Sequence, residues 1–163
     1  MKVCAYDPYL APERAAALGV EKVDLDALFQ RADVITLHTP LTDSTRNMLD
    51  GEAFARMKQG ILIINCARGE LIVEGDLKAA LESGQVGGVA LDVYPKEPPG
   101  DYSLFGMDGV VATPHFGAAT TEAQEKVATQ IAEQMSDYLT GGSVVNAVNM
   151  PSVSAEQYAE LSP

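Results

Sequence analysis

The sequence predicts an α/β fold, a doubly wound parallel sheet whose first strand and helix are absent from the pattern. Three observations predict it. Short apolar runs alternate with helical patterns over nearly the whole length. Those runs are almost continuously apolar, as strands covered on both faces of a parallel sheet are. One of them, Ile61–Leu62–Ile63–Ile64, stops abruptly at Asn65, Cys66, Ala67, Arg68 and Gly69. In open α/β sheets the carboxyl end of a strand is where ligands bind.

The elements follow in order. KVCAY (2–6) reads as a buried strand and APERAAALG (11–19) as a short helix stopped by Gly19. DLDALFQRA (24–32) repeats Leu25, Leu28 and Phe29 at helical spacing, with Asp24 as its N-cap. DVITLH (33–38) is a strand, TPLTDSTRN a polar loop, EAFARM (52–57) a short helix and ILIIN the next strand. EGDLKAALESG (74–84) sets Leu77, Ala80 and Leu81 on one face and ends at Gly84. GGVALDV (87–93) is a strand, PKEPPGDYSLFG a Pro-rich loop and GVVATPH (109–115) the last strand. Thr121 opens a long helix with Ala123, Val127, Ile131, Met135 and Leu139 four apart, closed by Gly141–Gly142. Residues 1–142 are thus expected to form one domain, and 143–163 an exit segment toward further domains.

The totals narrow the function classes. A length of 163 residues with 47% hydrophobic content suits one globular domain. The formal net charge of −12 is spread along the chain, which argues against nucleic acid and against anionic membrane surfaces as partners. Two cysteines, Cys4 and Cys66, are too few for a disulfide framework and have no metal-binding spacing; buried reduced thiols in a cytoplasmic protein are expected. No apolar run reaches membrane-spanning length, and MKVCAYDPY lacks a signal-peptide core.

The start of the pattern is informative. KVCAY ends in Asp7, and in a dinucleotide fold an acid at such a strand tip lies about 20 residues beyond a glycine-rich phosphate loop. No G-x-G-x-x-G occurs in these residues. The sequence therefore reads either as a different doubly wound fold or as a domain whose first βα unit lies outside it.

Three strand ends carry the chemistry. Arg68 follows the strand at 61–64, Asp92 ends GVALDV with Glu97 five residues on, and His115 closes VVATPH. A parallel sheet brings these ends to one crevice. There an imidazole can act as general base, a carboxylate can orient it and stabilise its cation, and an arginine can hold a carboxylate or polarise a carbonyl. Singly, each residue has an ordinary explanation: a solvated arginine, an exposed loop acid, a histidine at a strand end. The other histidine, His38, is expected to serve packing or a backbone hydrogen bond. Together the set suits proton-coupled hydride transfer between a 2-hydroxy acid and a nicotinamide.

AYDP (5–8), LHTPLTDSTRNML (37–49), INCARGELIVE (64–74), GVALDVYPKEPP (88–99), TPHFGAATTEAQ (113–124) and NAVNMP (146–151) closely resemble, in order, the D-isomer-specific 2-hydroxyacid dehydrogenases. The resemblance implies a Rossmann-like domain and NAD as cofactor. It makes Arg68 the anchor of the substrate carboxylate and carbonyl, Glu97 the partner of the catalytic histidine, and His115 the acid/base. It makes Asp7 the acid that holds the adenosine ribose hydroxyls. Thr39, Cys66, Ala67, Arg68, Asp92, His115, Phe116, Gly117 and Ala118 match its cofactor-contacting positions. It further implies a small 2-hydroxy or 2-oxo acid substrate, a homo-oligomer (dimer or tetramer), and a chain that is a fragment inactive by itself, because the family's glycine-rich loop and substrate domain are not in these residues. A dinucleotide-sensing, corepressor-like binding protein is the alternative of another class.

Overall fold

The computed structural model describes residues 1–117, 119–142 and 144–149. They run β1 (Cys4–Ala5), α1 (Pro12–Ala17), β2 (Glu21–Lys22), α2 (Leu25–Arg31), β3 (Val34–Leu37), α3 (Gly51–Arg56), β4 (Ile61–Asn65), a 3-10 turn (Gly69–Leu71), α4 (Glu74–Glu82), β5 (Val86–Leu91), β6 (Val110–Ala112) and α5 (Thr121–Gly141). The chain divides into two compact units, Met1–His115 and residues 116–163. Most of the expected exit segment, 143–163, lies outside the described residues.

Every ladder in the first unit is parallel, as the sequence predicts. β1 pairs with β2, and a second sheet has the order β3-β4-β5-β6. A doubly wound sheet has the strand order 3-2-1-4-5-6. The two observed sheets match its 3-2 and 4-5-6 portions with one further strand added, and position 1 is the one they do not represent.

The core explains why these segments fold as they do. β3 and β4 alternate strictly, burying Ile35, Leu37, Ile61, Ile63 and Asn65 on one face. Phe29 of α2, Ala53 and Phe54 of α3, and Leu77 and Ala80 of α4 pack into the same cluster. The crossovers β3–α3–β4 and β4–α4–β5 both advance in one direction across the four-stranded sheet. Right-handed crossovers of that kind place their helices on one side. The opposite face leaves Val34, Leu62, Ile64 and Val111 exposed. Coverage of both faces, expected from the apolar runs, is therefore incomplete in the first unit: β3 and β4 alternate with one packed face, whereas β5 buries Gly88 and Val89 in succession.

Capping sets the helix boundaries. Asp24 accepts from the Ala27 N–H at 2.7 Å and Asp50 from the Ala53 N–H at 2.8 Å. Each satisfies an amide that the first helical turn leaves without a partner. α5 begins at an N-cap, Thr120, and closes on Gly142 at φ 72°, a left-handed C-cap that favours glycine. No residue of α5 is buried, and its Val127, Ile131, Met135 and Leu139 stripe is exposed. β2 is the element the sequence does not announce, since Glu21 and Lys22 are charged and exposed. They are aligned by pairing with Cys4 and Ala5 rather than by burial. Among the described residues no helix is long and apolar enough to cross a membrane.

Candidate active site

The register aligns the carboxyl ends of the four-stranded sheet. Leu37 is opposite Asn65, Asn65 opposite Leu91, and Leu91 opposite Ala112. Thr39, Cys66 to Arg68, Asp92 and His115 therefore leave the sheet from one edge, as the strand-end argument requires. β5 ends at Leu91 and β6 at Ala112, so Asp92 and His115 sit just past their strands rather than within them.

Asn65 builds the first turn. Fully buried at the end of β4, it donates from Nδ2 to the Arg68 carbonyl at 2.9 Å and accepts the Ala67 N–H at 3.0 Å. These two bonds close residues 65–68 into a fixed loop, with Cys66 and Arg68 exposed on it. The guanidinium of Arg68 donates Nη1 to the Ala67 carbonyl at 2.6 Å, which orients the fork. Gly69 then meets the backbone of the next loop. A Cβ built there would stand 2.0 Å from the Tyr94 carbonyl carbon and 2.2 Å from Pro95 N, so only glycine lets the loops touch.

The second loop carries the acid. Glu97 Oε1 accepts the Tyr94 N–H at 3.2 Å, and Oε2 lies 2.7 Å from His115 Nδ1. The hydrogen bond to His115, and then the one from Tyr94, hold the Glu97 carboxyl below the ordinary carboxylate range. An ionised carboxylate only accepts, so Nδ1 carries the hydrogen and, in the neutral ring, Nε2 is the acceptor. His115 adopts φ 57°, a left-handed conformation in which histidine is more tolerated than most non-glycine residues. At the base of the site, Thr113 donates to Asp92 at 2.6 Å, and the Tyr94 hydroxyl donates to the Thr113 carbonyl at 2.9 Å. Burial first, and the nearby Asp92 charge second, push the Tyr94 phenol up.

Arg68, Gly69, Glu70, Val93, Tyr94, Pro95, Glu97 and His115 line one open depression of about 360 Å³. The residues expected to form the reacting set, Arg68, Glu97 and His115, are thus brought together. Asp7 follows the separate β1–β2 sheet, its exposed carboxylate accepting the Tyr9 N–H at 2.8 Å. Phe116 and Gly117 begin the second unit, and Ala118 lies outside the described residues. Two expectations change. Cys66 is exposed and Cys4 half-buried, so the thiols are not core residues. His38 is exposed and pairs through Nε2 with the Thr36 hydroxyl at 3.0 Å, a side-chain partner rather than packing or a backbone bond. Tyr94, Thr113 and Gly69 were not foreseen as part of the site. The only signal for them was their place beside the motif residues.

A dinucleotide fits part of this chain. An exposed carboxylate just past a strand end suits a pair of ribose hydroxyls, and the depression, at about 360 Å³, falls in the size range of a small-molecule site. The described residues hold no glycine-rich strand-to-helix turn for a pyrophosphate. The fit is therefore to the ribose and nicotinamide ends. No cluster of three or more His, Cys, Asp or Glu side chains suited to a metal occurs among the described residues.

Known proteins resemble this chain throughout. Over 163 residues it is 44% identical to a D-3-phosphoglycerate dehydrogenase of Bacillus subtilis (strain 168) and 47% identical to one of Synechocystis. The match takes in all of this chain but 31% and 29% of those proteins, so the chain spans about a third of their length. Among solved structures, the apo D-mandelate dehydrogenase of Rhodotorula graminis is 32% identical with a TM-score of 0.81, covering 94% of this chain and 45% of that one. A D-lactate dehydrogenase of Lactobacillus jensenii with NAD+ is 33% identical with a TM-score of 0.77, covering 92% and 48%. The model of the D-isomer specific 2-hydroxyacid dehydrogenase NAD-binding domain matches residues 1–117, so the chain belongs to that family and NAD is the cofactor its domain serves.

Proposed function

We propose that this chain carries the catalytic half of an NAD-dependent oxidation of D-3-phosphoglycerate to 3-phosphohydroxypyruvate, the first step of L-serine biosynthesis. The observation that carries the reading is the 2.7 Å Glu97–His115 pair set in the same depression as Arg68. The choice of substrate is supported by the phosphoglycerate relatives, whose alignments span all of this chain at 44% and 47% identity. A glyoxylate or hydroxypyruvate reductase, or another D-2-hydroxyacid dehydrogenase, is the second reading. A glyoxylate reductase structure at 33% identity and a TM-score of 0.78 favours it.

The residues act as follows. Asp7 holds the ribose hydroxyls and disfavours a 2′-phosphate, so NAD is preferred to NADP. Thr39, Cys66, Ala67, Asp92, Phe116, Gly117 and Ala118 complete the proposed cofactor contacts. The nicotinamide, when bound, accepts or returns a hydride. Arg68 binds the substrate carboxylate and polarises the C2 oxygen through its planar fork. His115, through Nε2, takes the C2 hydroxyl proton in oxidation and returns it in reduction. Glu97, accepting from Nδ1, fixes the ring and stabilises its cation. We propose that the full-length protein is a cytoplasmic homo-oligomer, dimer or tetramer.

The test uses a chimera in which these 163 residues replace the matching region of the Bacillus subtilis relative. Turnover of D-3-phosphoglycerate with NAD is expected, and His115→Gln should lower kcat by about 10²–10⁴-fold. Preference for glyoxylate would favour the second reading. Binding of NAD without turnover of any 2-hydroxy acid would favour a dinucleotide-sensing protein.

A further inference from the structure

We propose that Tyr94 is the positioning residue of this site, fixing Arg68, Glu97 and His115 relative to one another; the proposal rests on the reading of those three as the reacting set.

Tyr94 touches the support of each. Its carbonyl carbon is the atom against which Gly69, the neighbour of Arg68, is pressed. Its N–H donates to Glu97 Oε1 at 3.2 Å. Its hydroxyl donates to the Thr113 carbonyl at 2.9 Å, two residues before His115, with the Leu91 carbonyl also in reach at 3.3 Å. The last ladder bond joining β5 to β6 is Thr113 N–H to the Leu91 carbonyl, at 2.9 Å. The tyrosine hydroxyl carries the tie one group beyond it, where a three-residue segment leads to His115.

An aromatic residue needed only for packing would not require the hydroxyl. Tyr94 is 7% exposed as a residue, and its ring stacks on Phe105 with centroids 5.5 Å apart, which anchors it independently of its polar end. Phenylalanine would keep the stacking on Phe105 and the backbone N–H, and lose the hydroxyl's bonds to the Thr113 and Leu91 carbonyls. A phenol keeps its hydrogen through neutral pH, and burial pushes Tyr94 further up, so the hydroxyl is a donor. Glu97 and His115 come from different strand ends, so their 2.7 Å contact depends on holding those ends at a fixed separation.

The test reads Glu97 itself. The 163-residue chain is made with carboxyl-¹³C glutamate, Glu97 is assigned by its loss in Glu97→Gln, and its titration is followed by NMR. In the parent the Glu97 midpoint lies below the ordinary glutamate value. In Tyr94→Phe it is expected to recover at least half of that depression, because His115 drifts from its partner. Ile63→Val, a conservative core change away from the site, should leave it in place. An unmoved Glu97 in Tyr94→Phe, or an equal movement in Ile63→Val, overturns the proposal. Should Tyr94→Phe fail to fold, Phe105→Leu is read the same way: loosening the ring should raise the midpoint, and no change counts against Tyr94. The underlying reading fails separately, if the chimera turns over its substrate equally well with and without His115.

Discussion

His115 concentrates the local cost of the site. A left-handed backbone at a non-glycine residue costs on the order of 1 kcal/mol, and it occurs where the imidazole meets Glu97. The pair also ties stability to pH. Glu97 is lowered by the bond to His115, so its contribution is present above the ordinary glutamate value of about 4.3 and is lost as pH falls through its folded value. Glu97→Gln should therefore flatten the acid limb of the Tm-against-pH curve. The effect should be modest, since the carboxylate side chain is 39% exposed and screened. An acid limb as steep as the parent's would remove the pair as its cause. Arg68 and His115 were legible in the sequence because each is a polar residue at the end of an apolar run, and Glu97 because it follows the end of another within a motif that resembles the family's. Tyr94 and Thr113 were not, because their roles lie in a hydroxyl and a carbonyl meeting across two strands, which no spacing along the chain encodes.

At the scale of elements, the site depends on two loops, the turn after β4 and the segment after β5, held in backbone contact. Gly69 makes that contact possible. Gly69→Ala should destabilise the chain by about 1–3 kcal/mol, the usual cost of overpacking, measured by urea unfolding at constant m. A loss no larger than that of an exposed alanine substitution would show that the loops separate freely. β4, α2, α4 and α5 follow periodicity and caps, and the sequence places them to within a residue or two. β2 escaped it because two charged residues acquire strand geometry only from their neighbours Cys4 and Ala5. The strands at 87–93 and 109–115 were drawn too long, since apolar and small residues continue past the last ladder bond into the loops that carry Asp92 and His115.

At the scale of the molecule, two successive crossovers, β3–α3–β4 and β4–α4–β5, advance in one direction across the main sheet, and Val34, Leu62, Ile64 and Val111 are exposed on the face away from the core. An exposed apolar face on a sheet favours association. Leu62→Thr keeps strand propensity while removing apolar surface. It should change stability by no more than about 0.5 kcal/mol while lowering dye binding to exposed hydrophobic surface. A large loss of stability would mean that Leu62 is packed. Fold class was readable from alternation alone, whereas single-faced burial required the direction of the crossovers, which depends on the order of strands in space.

The central claim is that His115, oriented by Glu97 and facing a substrate held by Arg68, is the acid/base of a 2-hydroxy acid dehydrogenase. The most direct measurement is the pH profile of kcat/KM for the chimera and its His115→Gln variant, with D-3-phosphoglycerate and NAD. The account predicts a parent profile that rises with pH through one ionisation as the free base forms. It predicts a variant with that ionisation gone and its rate about 10²–10⁴-fold lower. A variant that keeps both the ionisation and the parent rate would contradict it.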